Sequence, residues 1–131
     1  MTKLINMPEV RLGVVGVSRD CFPIELTKRR LAALMKPLVA RRLKAHRCSV
    51  VIEREADALA ALAELDQKGC NAAVIYLGNF GPEGPTTLFA QRFMGSAAGA
   101  RPVMVCAAAE ENKAVLAGER GDALCGLLNC S

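Results

Sequence analysis

Aromatic side chains are scarce. They make up 4% of the 131 residues, with four Phe, one Tyr and no Trp. A single-stranded nucleic-acid platform stacks bases on exposed rings, so this composition excludes one. Imidazole is scarcer still, because His46 is the single histidine. A structural zinc site needs clustered ligands, and none cluster around it. No two of the six cysteines form a CxxC pair: they are Cys21, Cys48, Cys70, Cys106, Cys125 and Cys130. They read as reduced, mostly buried thiols rather than a disulfide framework. No apolar run approaches the roughly 18 residues of a membrane span. The first residues, MTKLINMPEVR, lack the apolar stretch and cleavage site of a secretion signal. The expected location is the cytoplasm, and no membrane partner is expected.

What is present is aliphatic. Hydrophobic residues make up 52% of the chain and charged residues 23%, enough for one packed core and too apolar for disorder. The length suits a single domain over 1–131. Seventeen basic against 13 acidic side chains leave +4, a weak signal for a polyanionic partner. Lys28, Arg29, Arg30, Lys36, Arg41, Arg42, Lys44 and Arg47 concentrate on or beyond one helical segment. They read as a solvated helix face, with no nucleic-acid-binding signature beside them.

The pattern along the chain alternates. Leu12 to Val17 (LGVVGV) predicts a strand ending in Ser18-Arg19-Asp20. Apolar residues at threes and fours predict a helix from Pro23 to His46, kinked or broken at Pro37. Ser49 to Glu53 predicts a second strand, and Ala56 to Lys68 a helix capped by Gly69. Asn71 to Leu77 carries a third strand, followed by the loop Gly78 to Pro85 and a helix from Thr86 to Met94. A small, flexible stretch from Gly95 to Ala100 leads to a fourth strand, Pro102 to Ala107. A short helix from Glu111 to Ala117 and a last one from Asp122 to Leu128 end the pattern. The apolar ALCGLLNCS terminus is expected to pack on the sheet or at a self-association surface.

Strands separated by helices call for right-handed crossovers and a parallel sheet with helices on both faces. The expected fold is an α/β, flavodoxin-like three-layer sandwich with a four-stranded parallel sheet in the order 2-1-3-4. Ligands in such sheets gather at the carboxyl ends of the strands, where the order reverses. The loops after strands one and three flank that point.

In the first loop, Arg19 can donate to hydroxyls or a carboxylate, and Asp20 can accept from sugar hydroxyls. The two also fit an ordinary loop ion pair. The third loop, with Gly78, Gly81 and Gly84, matches neither GxGxxG nor a P-loop, and Glu83 repels phosphate. A neutral polyol suits it better than a nucleotide. Cys21 and His46 are weaker candidates, the first for nucleophilic chemistry and the second as an acid/base group or a helix-end charge. Glu110 and Glu111 follow strand four and either face the cleft or start a helix.

The strings VGVSRDCFPIEL, VIYLGNFGPEGPTTLFAQRF, PVMVCAAAEE and RGDALCGLLNCS carry a resemblance. Together they resemble the N-terminal domain of L-fucose isomerase-like proteins, in the L-fucose/L-arabinose isomerase superfamily. The resemblance implies an aldose–ketose isomerase that uses a divalent metal, usually Mn²⁺, and moves a proton between C1 and C2 through an enediol. It also implies longer, three-domain, oligomeric chains whose metal ligands and acid/base carboxylates lie in later domains. The N-terminal domain then helps bind substrate and closes the active site of a neighbouring subunit. Substrate contacts are expected at Arg19 and Asp20 in the first loop and at Asn79, Phe80 and Glu83 in the third. The chain ends at Ser131, so no catalytic residue, metal ligand or bound cofactor is expected in it. Its expected partners are further domains or neighbouring subunits, a small sugar and other copies of itself. A stand-alone flavodoxin-like module that binds a small polar ligand is the alternative.

Overall fold

The structure is a computed structural model, which describes residues 6–95, 99–111 and 119–130. Eight elements alternate: β1 (Leu12–Val17), α1 (Ile24–Ala40), β2 (Ala45–Ile52), α2 (Glu55–Gln67), β3 (Ala72–Leu77), α3 (Glu83–Gly95), β4 (Val103–Ala107) and α4 (Ala123–Cys130). All strand pairs are parallel, in the order β2-β1-β3-β4. No helix among the described residues is long and apolar enough to cross a membrane.

The strand sequences explain the layers. β1 is central and buried from Gly13 to Val17, so it reads as a continuous apolar run without alternation. One face of the sheet offers Val15, Val17, Ala73, Ile75 and Leu77 to α2, α3 and α4. Phe89 and Phe93 of α3 stack there with ring centroids 5.8 Å apart. On the other face Val14 packs against Leu31 and Met35 of α1. Burying side chains of this size stabilises the fold by about 1.5–3 kcal/mol each. In α4, Ala123 and Gly126 are buried while Leu124 and Leu128 are exposed. The apolar terminus therefore both packs on the sheet and leaves an apolar pair outside.

Boundaries differ from the sequence reading in three places. First, α1 stops at Ala40 and β2 begins at Ala45, so His46 lies in a strand and caps no helix. The stop is a left-handed turn at Arg42 (φ 56°). The Arg42 amide donates to the Val39 carbonyl (2.9 Å) and the Leu43 amide to the Leu38 carbonyl (3.1 Å). This paired-bond ending usually recruits glycine, and α2 follows the rule with Gly69 (φ 65°). An arginine in that position hides the boundary.

Second, α1 continues through Pro37 to Ala40. Only one turn remains after the proline, so a single helical bond is lost. Third, α3 starts at Glu83 rather than Thr86 and takes Gly84 and Pro85 into its first turn. Pro85 is tolerated because first-turn amides have no helical partner. The expected helix from Glu111 to Ala117 lies outside the described residues, except Glu111, which is not helical. Of Gly95 to Ala100, residues 96–98 also lie outside them.

Two of the six thiols are buried, Cys48 and Cys70, while Cys21 and Cys125 are exposed. The expectation that most are buried therefore fails. Burial alone pushes the Cys106 thiol up, and it dominates the rise of Cys48 to about 12.

Candidate functional site

The carboxyl ends of β1 and β3 bring the first and third loops together through one side chain. Asn79 stands two residues past the end of β3 and is fully buried. Its Oδ1 accepts from the amides of Arg19 (3.0 Å) and Gly81 (3.3 Å). Its Nδ2 donates to Ser18 Oγ (2.8 Å) and the Pro23 carbonyl (3.5 Å). An amide side chain has two donor hydrogens and two acceptor lone pairs, so Asn79 is saturated. It acts as a clasp between the loops, with its donors and acceptors all used within the chain. The adjoining Gly78 is set by close packing. A Cβ there would stand 2.5 Å from Thr27 Cα.

The clasp presents Arg19. Its guanidinium lies over the Phe80 ring, 5.0 Å from the centroid, and Phe80 stacks on Phe22 at 6.0 Å. Both Arg19 and Asp20 are exposed, and neither makes an ion pair among the described residues. The ordinary loop ion pair is therefore not formed. Glu83 is exposed in the first turn of α3, where the helix dipole favours a carboxylate. No hydrogen bond joins it to Arg19 or Phe80 among the described residues. The structure thus brings Arg19, Asn79 and Phe80 together, sets Asp20 beside them and leaves Glu83 on the next element. Cys21 shares the first loop, whereas His46 lies at the amino end of β2, so no thiol–imidazole pair forms.

A second cluster at the same end escaped the sequence reading. Arg30 is not on a solvated face: it is 5% exposed. Its Nη1 donates to the Gly78 carbonyl (2.6 Å) and its Nη2 to Glu110 Oε2 (3.0 Å) and Glu111 Oε2 (2.5 Å). Glu110 Oε1 accepts from the amides of Gly121 (2.9 Å) and Asp122 (2.7 Å), just before α4. The two glutamates therefore face the carboxyl end. Burial opposes ionisation of Glu110, but the Arg30 bond and the two amides outweigh it and hold its carboxyl low. Arg30 holds that of Glu111 at about 2. One signal was available: Arg30 stands three residues after Thr27 and four before Leu34, inside the buried stripe of α1.

With this geometry in view, residues 13–131 match the family model for the fucose/sulfoquinovose isomerase N-terminal domain. The chain belongs to that family. No curated protein and no solved structure matched the chain. The matched stretch holds the clasp, the Arg30 cluster and all of the sheet except Leu12. The other basic residues of α1 behave as expected of a solvated face: Lys28, Arg29 and Lys36 are exposed.

Proposed function

We propose that this domain supplies substrate contacts to a metal-dependent aldose–ketose isomerase, closing over an active site whose catalytic groups lie in other domains or a neighbouring subunit. The observation that carries the proposal is Arg19, exposed, without an ion pair among the described residues, and set over Phe80 at the reversal point of the sheet. A guanidinium donates to sugar hydroxyls, and a ring covers the apolar face of a sugar. Asp20 accepts from hydroxyls beside them, and Glu83 does so from the start of α3. Asn79 contributes by holding both loops in register.

The Mn²⁺ ion that the resemblance implies finds no fit in these side chains. Among the described residues no three potential ligands converge. The metal and the proton transfer are therefore assigned to other domains, because enediolate formation needs a positioned base and an electrophile. The exposed Leu124 and Leu128 support assembly as a homo-oligomer or against further domains.

The test is a titration of the chain with L-fucose and L-arabinose, followed by amide chemical shifts. The expected result is a response confined to Arg19, Asp20, Phe80 and Gly81 that Arg19→Ala abolishes. A response elsewhere removes these loops from the site. Ketose formation by the purified chain with Mn²⁺, above a metal-free blank, would overturn the assignment of catalysis to other domains.

A further inference from the structure

The two carboxylates on Arg30 have different attachments. Glu110 uses Oε1 for the Gly121 and Asp122 amides and only Oε2 for the guanidinium. It is built into the turn before α4. Among the described residues the Glu111 carboxylate is held only by guanidinium groups and by its own backbone amide. Its Oε1 accepts from Arg30 Nε (3.2 Å) and its Oε2 from Arg30 Nη2 (2.5 Å), a two-point fork. Arg29 Nη2 stands 3.6 Å from Oε1 on the other side. The Glu111 side chain is 51% exposed, while the guanidinium it covers is on a side chain 5% exposed.

We infer that the Arg29–Arg30 pair is a binding site for a small oxyanion, and that Glu111 is its internal occupant. A guanidinium fork accepts two oxygens of a carboxylate, sulfate, sulfonate or phosphate with the same geometry. Removing Glu111 would leave a desolvated cation with one carboxylate and one carbonyl, and an arriving oxyanion would restore the missing pair of bonds. The occupant is weakly held from outside, because half of it faces water and, among the described residues, only its own amide adds to the guanidinium bonds. The guanidinium is firmly held, by Gly78 and Glu110, so the site keeps its shape when the occupant leaves. Its floor is the Gly78 carbonyl, next to the Asn79 clasp, so an anion bound there would sit at the ligand end of the sheet. The inference stands on the ion-pair geometry and does not depend on the sugar reading.

The test compares the wild-type chain with Glu111→Ala, titrated with sulfate, methanesulfonate and phosphate at constant ionic strength against a chloride control. Glu111→Ala is expected to bind these anions at least about tenfold more tightly than wild type, with a matching rise in Tm. The three anions separate the shared fork chemistry from a preference for one head group. Adding Arg29→Ala to Glu111→Ala is expected to reverse part of the gain, and adding Arg30→Met to reverse all of it. If Glu111→Ala folds only in the presence of one of these anions, the inference is supported. If it does not fold at all, Glu111→Gln removes the charge while keeping the bulk, and it too is expected to bind more tightly than wild type. Equal, chloride-like responses of wild type and the Glu111 variant overturn the proposal. So does a gain that survives Arg30→Met.

Discussion

The two ends of the sheet use the same two residue types to different effect. At the amino end Asn71 precedes β3, accepts from the Arg11 amide (2.8 Å) and donates to the Glu9 carbonyl (2.7 Å). At the carboxyl end Asn79 follows β3 and makes four bonds in full burial. Each end also has a buried arginine. Arg101 precedes β4, donates to the Phe93 carbonyl (2.8 Å), the Cys70 carbonyl (3.3 Å) and Asp66 (2.6 Å), and lies 3.8 Å from the centre of the Phe93 ring. Its neutral partners are part of the core. Arg30 is instead met by two carboxylates that reach water. At the amino end Arg101 thus spends two of its bonds on core carbonyls and one on Asp66. At the carboxyl end Arg30 spends most of its bonds on carboxylates, and Arg19 and Asp20 make no ion pair among the described residues. The carboxyl end therefore sets exposed polar groups on a rigid base, which is the arrangement the proposed substrate contacts rest on.

This contrast predicts unequal losses. Arg101→Met should destabilise the chain by about 3–4 kcal/mol, because two buried carbonyls lose their donor and the ring loses its cation. Arg30→Met should cost less, about 2 kcal/mol, since Glu110 and Glu111 rehydrate when the guanidinium leaves. Urea denaturation measures both, and a larger loss for Arg30→Met would erase the distinction. The asparagines should rank the other way round. Asn79→Ala is expected to cost about 2–3 kcal/mol by stranding buried donors, and Asn71→Ala about 1 kcal/mol at a half-buried site.

Acid should act on both ends through different carboxylates. At the amino end burial opposes ionisation of Glu64, yet Ser49 and His46 outweigh it and hold its carboxyl at about 2. His46 Nε2 lies 2.7 Å from Glu64 Oε1. At the carboxyl end Arg30 does the same to Glu111. Both folded values lie below the ordinary 4.5. The stabilisation is therefore complete above that range and is lost as pH falls from 4.5 toward 2. Arg30→Met should remove the Glu111 share of this acid loss and leave the Glu64 share, and Glu64→Gln should do the reverse. Denaturation midpoints across that pH range measure it, and an unchanged profile in either variant refutes the assignment.

The smallest expected effect compares two helix endings at the amino end. Arg42→Gly should stabilise by about 0.5–1 kcal/mol, by relieving a left-handed arginine, while Gly69→Ala should destabilise by about 1 kcal/mol. A thermal melt that ranks them otherwise would show that Arg42 is held by more than its backbone.

Much of the fold was legible in the chain because its signals are local. The apolar runs LGVVGV and AAVIYL, the Ala-rich period of α2 and the glycine at 69 each act within a few residues. Alternation of strands and helices then leaves few topologies, and crossover handedness selects among them. The end of α1 was not legible, since Leu43 continues the helical period and an arginine occupies the turn. The loops at the reversal point could be named from topology. The Asn79 clasp and the burial of Arg30 could not.

Residue order alone decided the class of fold, the strand order and which loops flank the point where that order reverses, because periodicity and turn chemistry are properties of neighbours. Tertiary structure decided which polar residues are spent and which remain free. Asn79 meets Arg19 across 60 residues, and Arg30 meets Glu111 across 81. Over such separations a charged side chain in a helix looks the same whether it faces water or a carboxylate. Only the packing of α1 against the end of β3 desolvates Arg30 and makes its pairing obligatory.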